Sequence, residues 1–366
     1  MQRRITRLSA IGTAATFALI LSACAAAPDA GDDAEAPASD FLPCAVSDLT
    51  GFDDRDFNQL TYEGVEAAAD EVGAEVRAAE SASEDQYAGN IGTLVDEGCD
   101  LIVTVGFALA NATRDAAQNN PAVNFALIDS EVTNDDFSPL ALDNVKPVLF
   151  DTAQAAALAG YVAAGATTTG IVGTYGGMPF PSVTVFMDGF QIGIEHYNDV
   201  HGTDVQLLGW DRETQNGVFV GSFDDQLQAK NITLGLLDQD VDIIMPVAGT
   251  LFTASVDAIQ EQGTETAIIG VNSDVYLSAP DYGSYMLTSV MKNLTTAART
   301  VTLDAHAGDF AADPYVGTLE NDGVGIAPFH EWESQLDPEL IAEVEQLKAD
   351  IISGDFVVDS PSSPRG

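Results

Sequence analysis

The stretch Ala45-Val-Ser-Asp48-Leu-Thr-Gly-Phe-Asp-Asp-Arg-Asp-Phe-Asn-Gln-Leu-Thr-Tyr-Glu-Gly64 decides the fold class. An apolar start gives way to an acidic turn and then to a helical pattern over 62–72, as where a β-strand feeds a helix. Ligands of open α/β sheets bind outside the carboxyl ends of the strands, so this turn is a candidate ligand wall. It gathers acids (Asp48, Asp53, Asp54, Asp56), an amide (Asn58) and aromatics (Phe52, Phe57), with Gly51 easing the turn. A solvated acidic turn with a helix cap accounts for the same residues, and the other segments must decide.

Working outward, strand and helix alternate. Strands are predicted over 45–48, 75–79, 101–105 and 124–128, with helices over 59–72, 84–97 and 108–119, and an extended segment over 145–150. An Ala-rich helix over 152–166 opens a second series with strands over 169–175, 205–210, 243–247 and 267–271 and helices over 182–200, 223–237 and 251–262. That succession predicts two α/β lobes, each a parallel sheet flanked by helices. The remainder, an extended run over 285–290, a helix over 293–307, a Gly-rich stretch over 316–328 and a helix over 337–352, is too short for a third domain. It is expected to cross back to the first lobe and return. Lobe one then comprises 42–148 with 288–315, lobe two 149–287 with 316–356, and 357–366 is a frayed tail.

At 366 residues the chain suits two domains of roughly 150 residues each. Its 57 acidic and 13 basic residues give a formal charge of −44, spread along the whole length. Such a field repels phosphate backbones and anionic lipid, which argues against nucleic-acid binding and favours a neutral or cationic small ligand. Abundant Asp with only four lysines (Lys146, Lys230, Lys292, Lys348) is a balance that suits a saline habitat.

Residues 1–23 have the parts of a secretion signal: basic Arg3, Arg4 and Arg7, an apolar core through Ile20 and small residues. Leu21-Ser-Ala-Cys24 resembles the bacterial lipobox, in which lipid is attached to the Cys, here Cys24. Residues 24–41 read as a flexible acidic tether. Cys44 and Cys99 each lie two residues before a predicted strand; if those strands are parallel neighbours, the thiols fall within bridging distance of ~5–6 Å and a disulfide is predicted.

Catalytic signatures are absent: no Gly-x-Ser-x-Gly, His-Glu-x-x-His, Cys-x-x-Cys or phosphate-loop Lys occurs. The histidines show no ligand spacing. Asp54, Asp56 and Asn58 imitate the start of a calcium loop, but Gln59 replaces its Gly and Val65 its bidentate Glu. What remains are polar and aromatic groups at strand ends: Asp48, Phe57, Asn58, Phe107 and Asp129 from lobe one, and Trp210, Asp211, Phe223, Gly249, Thr250, Asn272 and Asp274 from lobe two. Carboxylates suit vicinal hydroxyls and aromatic faces suit a flat ring, and a nucleoside has both. A sugar or other small polar solute, a surface hydrolase using paired acids such as Asp53 and Asp129, and a signalling receptor are the alternatives.

Segments 46–59, 98–107, Phe125-Ala-Leu-Ile-Asp129, 156–165, 170–177, Phe186-Met-Asp-Gly-Phe190, Leu208-Gly-Trp-Asp211, 269–274 and Leu287-Thr-Ser-Val-Met-Lys-Asn293 together resemble the basic membrane protein family of lipoproteins. These are purine nucleoside receptors of ABC importers, and the similarity runs over about 42–350. The resemblance implies a periplasmic-binding-protein type I fold with three crossovers, and a purine nucleoside held between two rings. On matching positions Phe57 and Phe223 would stack on the base, while Asp48, Asn58, Asp129, Gly249, Asp274 and Lys292, with Asn272, would hold base and ribose. It further implies a monomer without cofactor, metal or enzymatic activity, anchored outside the cell membrane through Cys24 and serving an ABC permease. The family pattern has Gly at Thr50, a small residue such as Ser at Asp56, and Asp at Asn272; an amide at 272 accepts only through its oxygen and can also donate. With the cleft thus populated, Asp53, Asp54 and Asp56 are read as rim or cap.

Overall fold

Apolar runs that end in Gly or Asp turns become the central strands of two sheets, because only a strand covered on both faces can be apolar at every position. The computed structural model describes residues 39–136 and 138–364, so the signal segment, Cys24 and nearly all of the tether lie outside the described residues. The first series is β1 (Pro43–Val46), α1 (Phe57–Val72), β2 (Arg77–Ala79), α2 (Tyr87–Asp96), β3 (Leu101–Val105), α3 (Ala110–Asn119), β4 (Asn124–Ile128) and β5 (Val145–Phe150). The second is α4 (Thr152–Ala166), β6 (Ile171–Gly176), α5 (Pro181–His201), β7 (Gln206–Leu208), the short hairpin β8 (Trp210–Asp211) and β9 (Asn216–Gly217), α6 (Gln226–Leu237), β10 (Ile243–Val247), α7 (Phe252–Gln262), β11 (Ala267–Asn272), the one-turn α8 (Val275–Ser278) and β12 (Met286–Lys292). The chain closes with α9 (Leu294–Ala307), β13 (Tyr315–Gly317), β14 (Val324–Ile326) and α10 (Pro338–Ser353). β1, β3 and β10 are buried at every residue.

One sheet runs β2-β1-β3-β4-β5-β13 and the other β7-β6-β10-β11-β12-β14. All pairings in both are parallel except β12 with β14. The chain passes between lobes three times, after Phe150, after Lys292 and after Gly317. All three passages fall later than the sequence suggested: Leu149 and Phe150 still belong to β5 of the first sheet. β12 stays in the second sheet through Lys292 rather than leaving at 288, and Val316 and Gly317 still pair with β5 in the first. The passages lie side by side: Asp151 N donates to Gly317 O at 2.8 Å and Asn293 N to Gly323 O at 2.9 Å.

Two glycines let α4 and α5 approach closely. A Cβ on Gly160 would lie 2.1 Å from Phe190 O, and one on Gly193 2.0 Å from Ala157 O, so neither site admits a side chain. In lobe one, Cys44 of β1 and Cys99 ahead of β3 are joined, with Cα atoms 6.0 Å apart and a sequence separation of 55. On the chain-entropy account such a loop contributes roughly 4 kcal/mol.

The tail is not frayed. Ser360 is buried and donates to Oδ2 of fully buried Asp188 at 2.6 Å, while Ser363 Oγ donates to Asp151 Oδ1 at 2.8 Å; residues 365 and 366 lie outside the described residues. Asp188 Oδ1 is held by Trp210 Nε1 at 3.0 Å and Gln215 Nε2 at 2.8 Å. The tail therefore completes a carboxylate that would otherwise be half-satisfied inside lobe two. Ser360→Ala removes the donor to Oδ2, and urea unfolding is expected to register a loss of about 1.5–3 kcal/mol, as for hydrogen bonds to charged groups. A change within about 0.5 kcal/mol, as at ordinary surface positions, contradicts this role.

Candidate functional site

The carboxyl ends of both sets of strands open onto one cavity of about 250 Å³ between the lobes. Its first wall is the turn from β1 to α1. Asn58, fully buried, organises that turn: its Oδ1 accepts from Asp48 N at 3.0 Å, and its Nδ2 donates to Asp48 Oδ1 at 2.8 Å, Thr50 Oγ1 at 2.8 Å and Asp54 Oδ2 at 3.0 Å. Asp54 caps α1, accepting the backbone N–H groups of Asp56, Asn58 and Gln59 at 2.9–3.0 Å. Asp48 Oδ1 also receives Thr50 N and Oγ1, which leaves Oδ2 toward Gly106 and the cavity. Burial raises the Asp48 pKa, and the bonds from Thr50 and Asn58 pull it back only in part.

The centre of the site is an ion pair between lobes. Lys292, the last residue of β12 and 4% exposed, donates through Nζ to Asp129 Oδ2, just past β4. Its ammonium also lies 4.8 Å from the ring centroid of Phe186 and 5.6 Å from that of Phe57, within reach of cation–π attraction. Burial raises the Asp129 pKa more strongly than Lys292 lowers it. Asp129 takes φ 61, and Asn272 ends the corresponding strand of the other sheet, β11, with φ 66. Left-handed backbone at non-Gly residues is costly and clusters at functional sites. Here it occurs at matching places in both lobes.

Two further contacts span the cleft. Asn272 Nδ2 donates to Asp56 Oδ2 at 2.8 Å, and the rings of Phe107 and Phe180 stack with centroids 4.6 Å apart and planes at 27°. Phe180 in turn lies 6.1 Å from Phe223. The carboxyl of Asp56 is pushed up to about 7, first by burial and then by the charge of Asp54, against the opposing effects of Asn272 and Lys292.

Of the residues expected from sequence, Asp48, Phe57, Asp129, Phe223, Gly249, Asn272 and Lys292 line the cavity. Two do not. Asn58 spends its amide on the turn, and Asp274 faces away, with Oδ2 bonded to His330 Nε2 at 2.8 Å. Trp210, also a strand-end candidate, donates inward to Asp188 instead. Asp56, taken for rim or cap, is buried in the wall, and two of the residues that depart from the family pattern, Asp56 and Asn272, bond to each other. Phe180 was not found from sequence, and its one signal is its place between Pro179 and Pro181 shortly after β6. Among the described residues no group of His, Cys, Asp and Glu could hold a metal ion.

The Asp56 shift has a definite sign. A carboxyl whose pKa rises from 3.8 to about 7 on folding favours the folded state fully below 3.8, and that contribution is lost as pH rises through 7. Relative to Asp56→Asn, the protein is expected to lose stability with rising pH by up to about 1.4 kcal/mol per unit in that window. Parallel unfolding curves for the two proteins at pH 5 and pH 7 check it. Equal differences at both pH values contradict it.

A family model described as "ABC transporter substrate-binding protein PnrA-like" matches residues 42–358. The chain is 27% identical over 377 residues to the ABC transporter nucleoside-binding protein BmpA of Lactococcus lactis subsp. cremoris (strain MG1363), covering 98% of this chain and 100% of that one. It is 29% identical over 312 residues to basic membrane protein A of Borreliella burgdorferi, covering 84% and 85% respectively. Among solved structures, an ABC transporter solute-binding protein from Aeropyrum pernix K1 superposes with a TM-score of 0.76 at 24% identity, over 87% of this chain and 94% of that one. A transcriptional activator of the comK gene from Bacillus halodurans superposes with a TM-score of 0.68 at 22% identity, over 87% and 100%. At such identities the superpositions establish the shared two-lobe fold, that of periplasmic-binding-protein type I proteins. With the family model spanning both lobes and the described tail up to residue 358, the chain belongs to the basic membrane protein family of PnrA-like ABC transporter substrate-binding proteins.

Proposed function

We propose that this protein captures a nucleoside, preferably a purine nucleoside, between its lobes and delivers it to an ABC permease, while anchored outside the membrane by lipid on Cys24. The observation that carries the reading is the cavity wall itself. Phe57 and Phe223, from opposite lobes, offer ring faces, and Asp48, Asp129, Asn272 and Lys292 supply polar groups for base edge and ribose. A cavity of about 250 Å³ lies just below the ~300–1,000 Å³ range of small-molecule sites, which favours a compact ligand. The nucleoside-binding relative supports the ligand class, and the ABC-transporter family supports a permease partner.

Chemistry beyond binding is not part of the reading. Of the acids that line the cavity, Asp129, Asp48, Asp54 and Asp56 are engaged with Lys292, Asn58, Thr50 and Asn272, while Glu84 and Asp224 are not. The protein acts as a monomer by closing on ligand, the lobes moving about the three passages.

Calorimetry with adenosine, guanosine, inosine, cytidine and free ribose tests the reading. Binding of purine nucleosides ahead of cytidine and ribose is expected; binding of ribose alone moves the assignment to a sugar receptor, and silence toward every nucleoside removes it. Phe57→Ala is expected to cost about 1–3 kcal/mol of purine affinity, the usual contribution of stacking. An unchanged affinity denies the stacking role. Metabolic lipid labelling of the cells that make the protein should mark the wild type and not Cys24→Ala; an unlabelled wild type overturns the anchor.

A further inference from the structure

Asp56 lines the cavity and reaches from the head of α1 across the cleft to Asn272, yet its carboxyl oxygens are not open to a ligand in this arrangement. Its Oδ2 is occupied by Asn272 Nδ2 at 2.8 Å, and its Oδ1 is enclosed in protein without a partner. What it can do is act on Asn272. An amide offers a donor on one side and an acceptor on the other, and a flip exchanges them. An ionised carboxylate only accepts, so the NH2 of Asn272 must turn to Asp56 and its Oδ1 must turn the other way. That Oδ1 receives no hydrogen bond from any described residue, and Asn272 lines the cavity beside Lys292. The left-handed backbone at Asn272, φ 66, leaves the side chain at the mouth of β11.

We propose that Asp56 is a positioning residue that fixes the amide of Asn272 as a hydrogen-bond acceptor, so that the site selects a ligand carrying a hydroxyl at that point, a ribonucleoside over its deoxy counterpart. The inference rests on the nucleoside reading above. The pair does across two lobes what one carboxylate would do on the second lobe alone.

The test is calorimetry at pH 8.5, where the carboxyl at 56 is ionised, with inosine, 2′-deoxyinosine and 3′-deoxyinosine. The wild type is expected to prefer inosine to at least one deoxy form by about tenfold, the worth of one good hydrogen bond. Asp56→Ala frees the amide to flip, and that preference should fall to about twofold or less. Asn272→Asp alone sets two carboxylates face to face and should weaken all three ligands together. The double exchange, Asp56→Asn with Asn272→Asp, puts the amide on the first lobe and the accepting carboxylate on the second, and should restore the preference.

A merely structural role for Asp56 would lower all affinities in Asp56→Ala while keeping their ratio, and would give the double exchange no reason to recover it. Either result overturns the inference. Thermal melts confirm that each variant compared is folded. A wild type that binds inosine without discriminating its hydroxyls sinks this inference and leaves the nucleoside reading standing; a wild type that binds none of the three sinks this inference, and the nucleoside reading falls with it only if adenosine, guanosine and cytidine are silent as well.

Discussion

The ion pair of Lys292 with Asp129 is the constraint on which the rest of the site depends. The ammonium of a lysine that is only 4% exposed needs a nearby countercharge, because breaking a buried pair leaves an uncompensated charge inside the protein. Asp129 supplies it from the opposite lobe, and the rings of Phe57 and Phe186 surround what remains of the cation. β12 of lobe two is thereby tied to β4 of lobe one in a chain with only four lysines to draw on. Polar groups that a ligand must satisfy, and that water would satisfy in an open form, collect around this pair.

Few contacts span the cleft, which suits the lobe closure proposed above. The lobes have separate sheets and share three adjacent passages, whose backbone groups bond to one another. Over the cavity, the bridges are the ion pair, the Asp56 to Asn272 bond and the stacked rings of Phe107 and Phe180. Two-lobe closure of this kind needs only the passages to absorb backbone rotation. A ligand that adds contacts to both walls shifts the balance toward the closed form by its differential affinity for it.

Much of the fold was legible because its signals are local. Fully buried strands appear as apolar runs, helices as their periodic neighbours, and the Cys44 and Cys99 pairing follows from two strands that share an edge. The passages left no such mark: Met286 to Lys292 reads as a strand whichever sheet it joins, so the division set at 288 fell inside a strand. The tail misled for a related reason. Ser-Pro-Ser-Ser has the composition of a loose end, and the hydroxyl of Ser360 finds its acceptor at Asp188, 172 residues away. Within the site, strand-end position identified most of the wall but not where side chains point. Arg55 takes φ 57, which turns the chain just before Asp56, and the cap made by Asp54 draws Asn58 into the turn. The residue expected to cap therefore lines the cleft, and the one expected to line it holds the cap.

The central claim is that one nucleoside occupies the space between Phe57 and Phe223 with its ribose directed at the Lys292 and Asp129 pair. A crystal structure of the protein grown with inosine measures this directly. The account predicts the purine ring between the two phenyl rings and a ribose hydroxyl within hydrogen-bond distance of Asn272 Oδ1 or Asp129. A nucleoside bound elsewhere, or lying in the cleft with its base away from both rings, would contradict it.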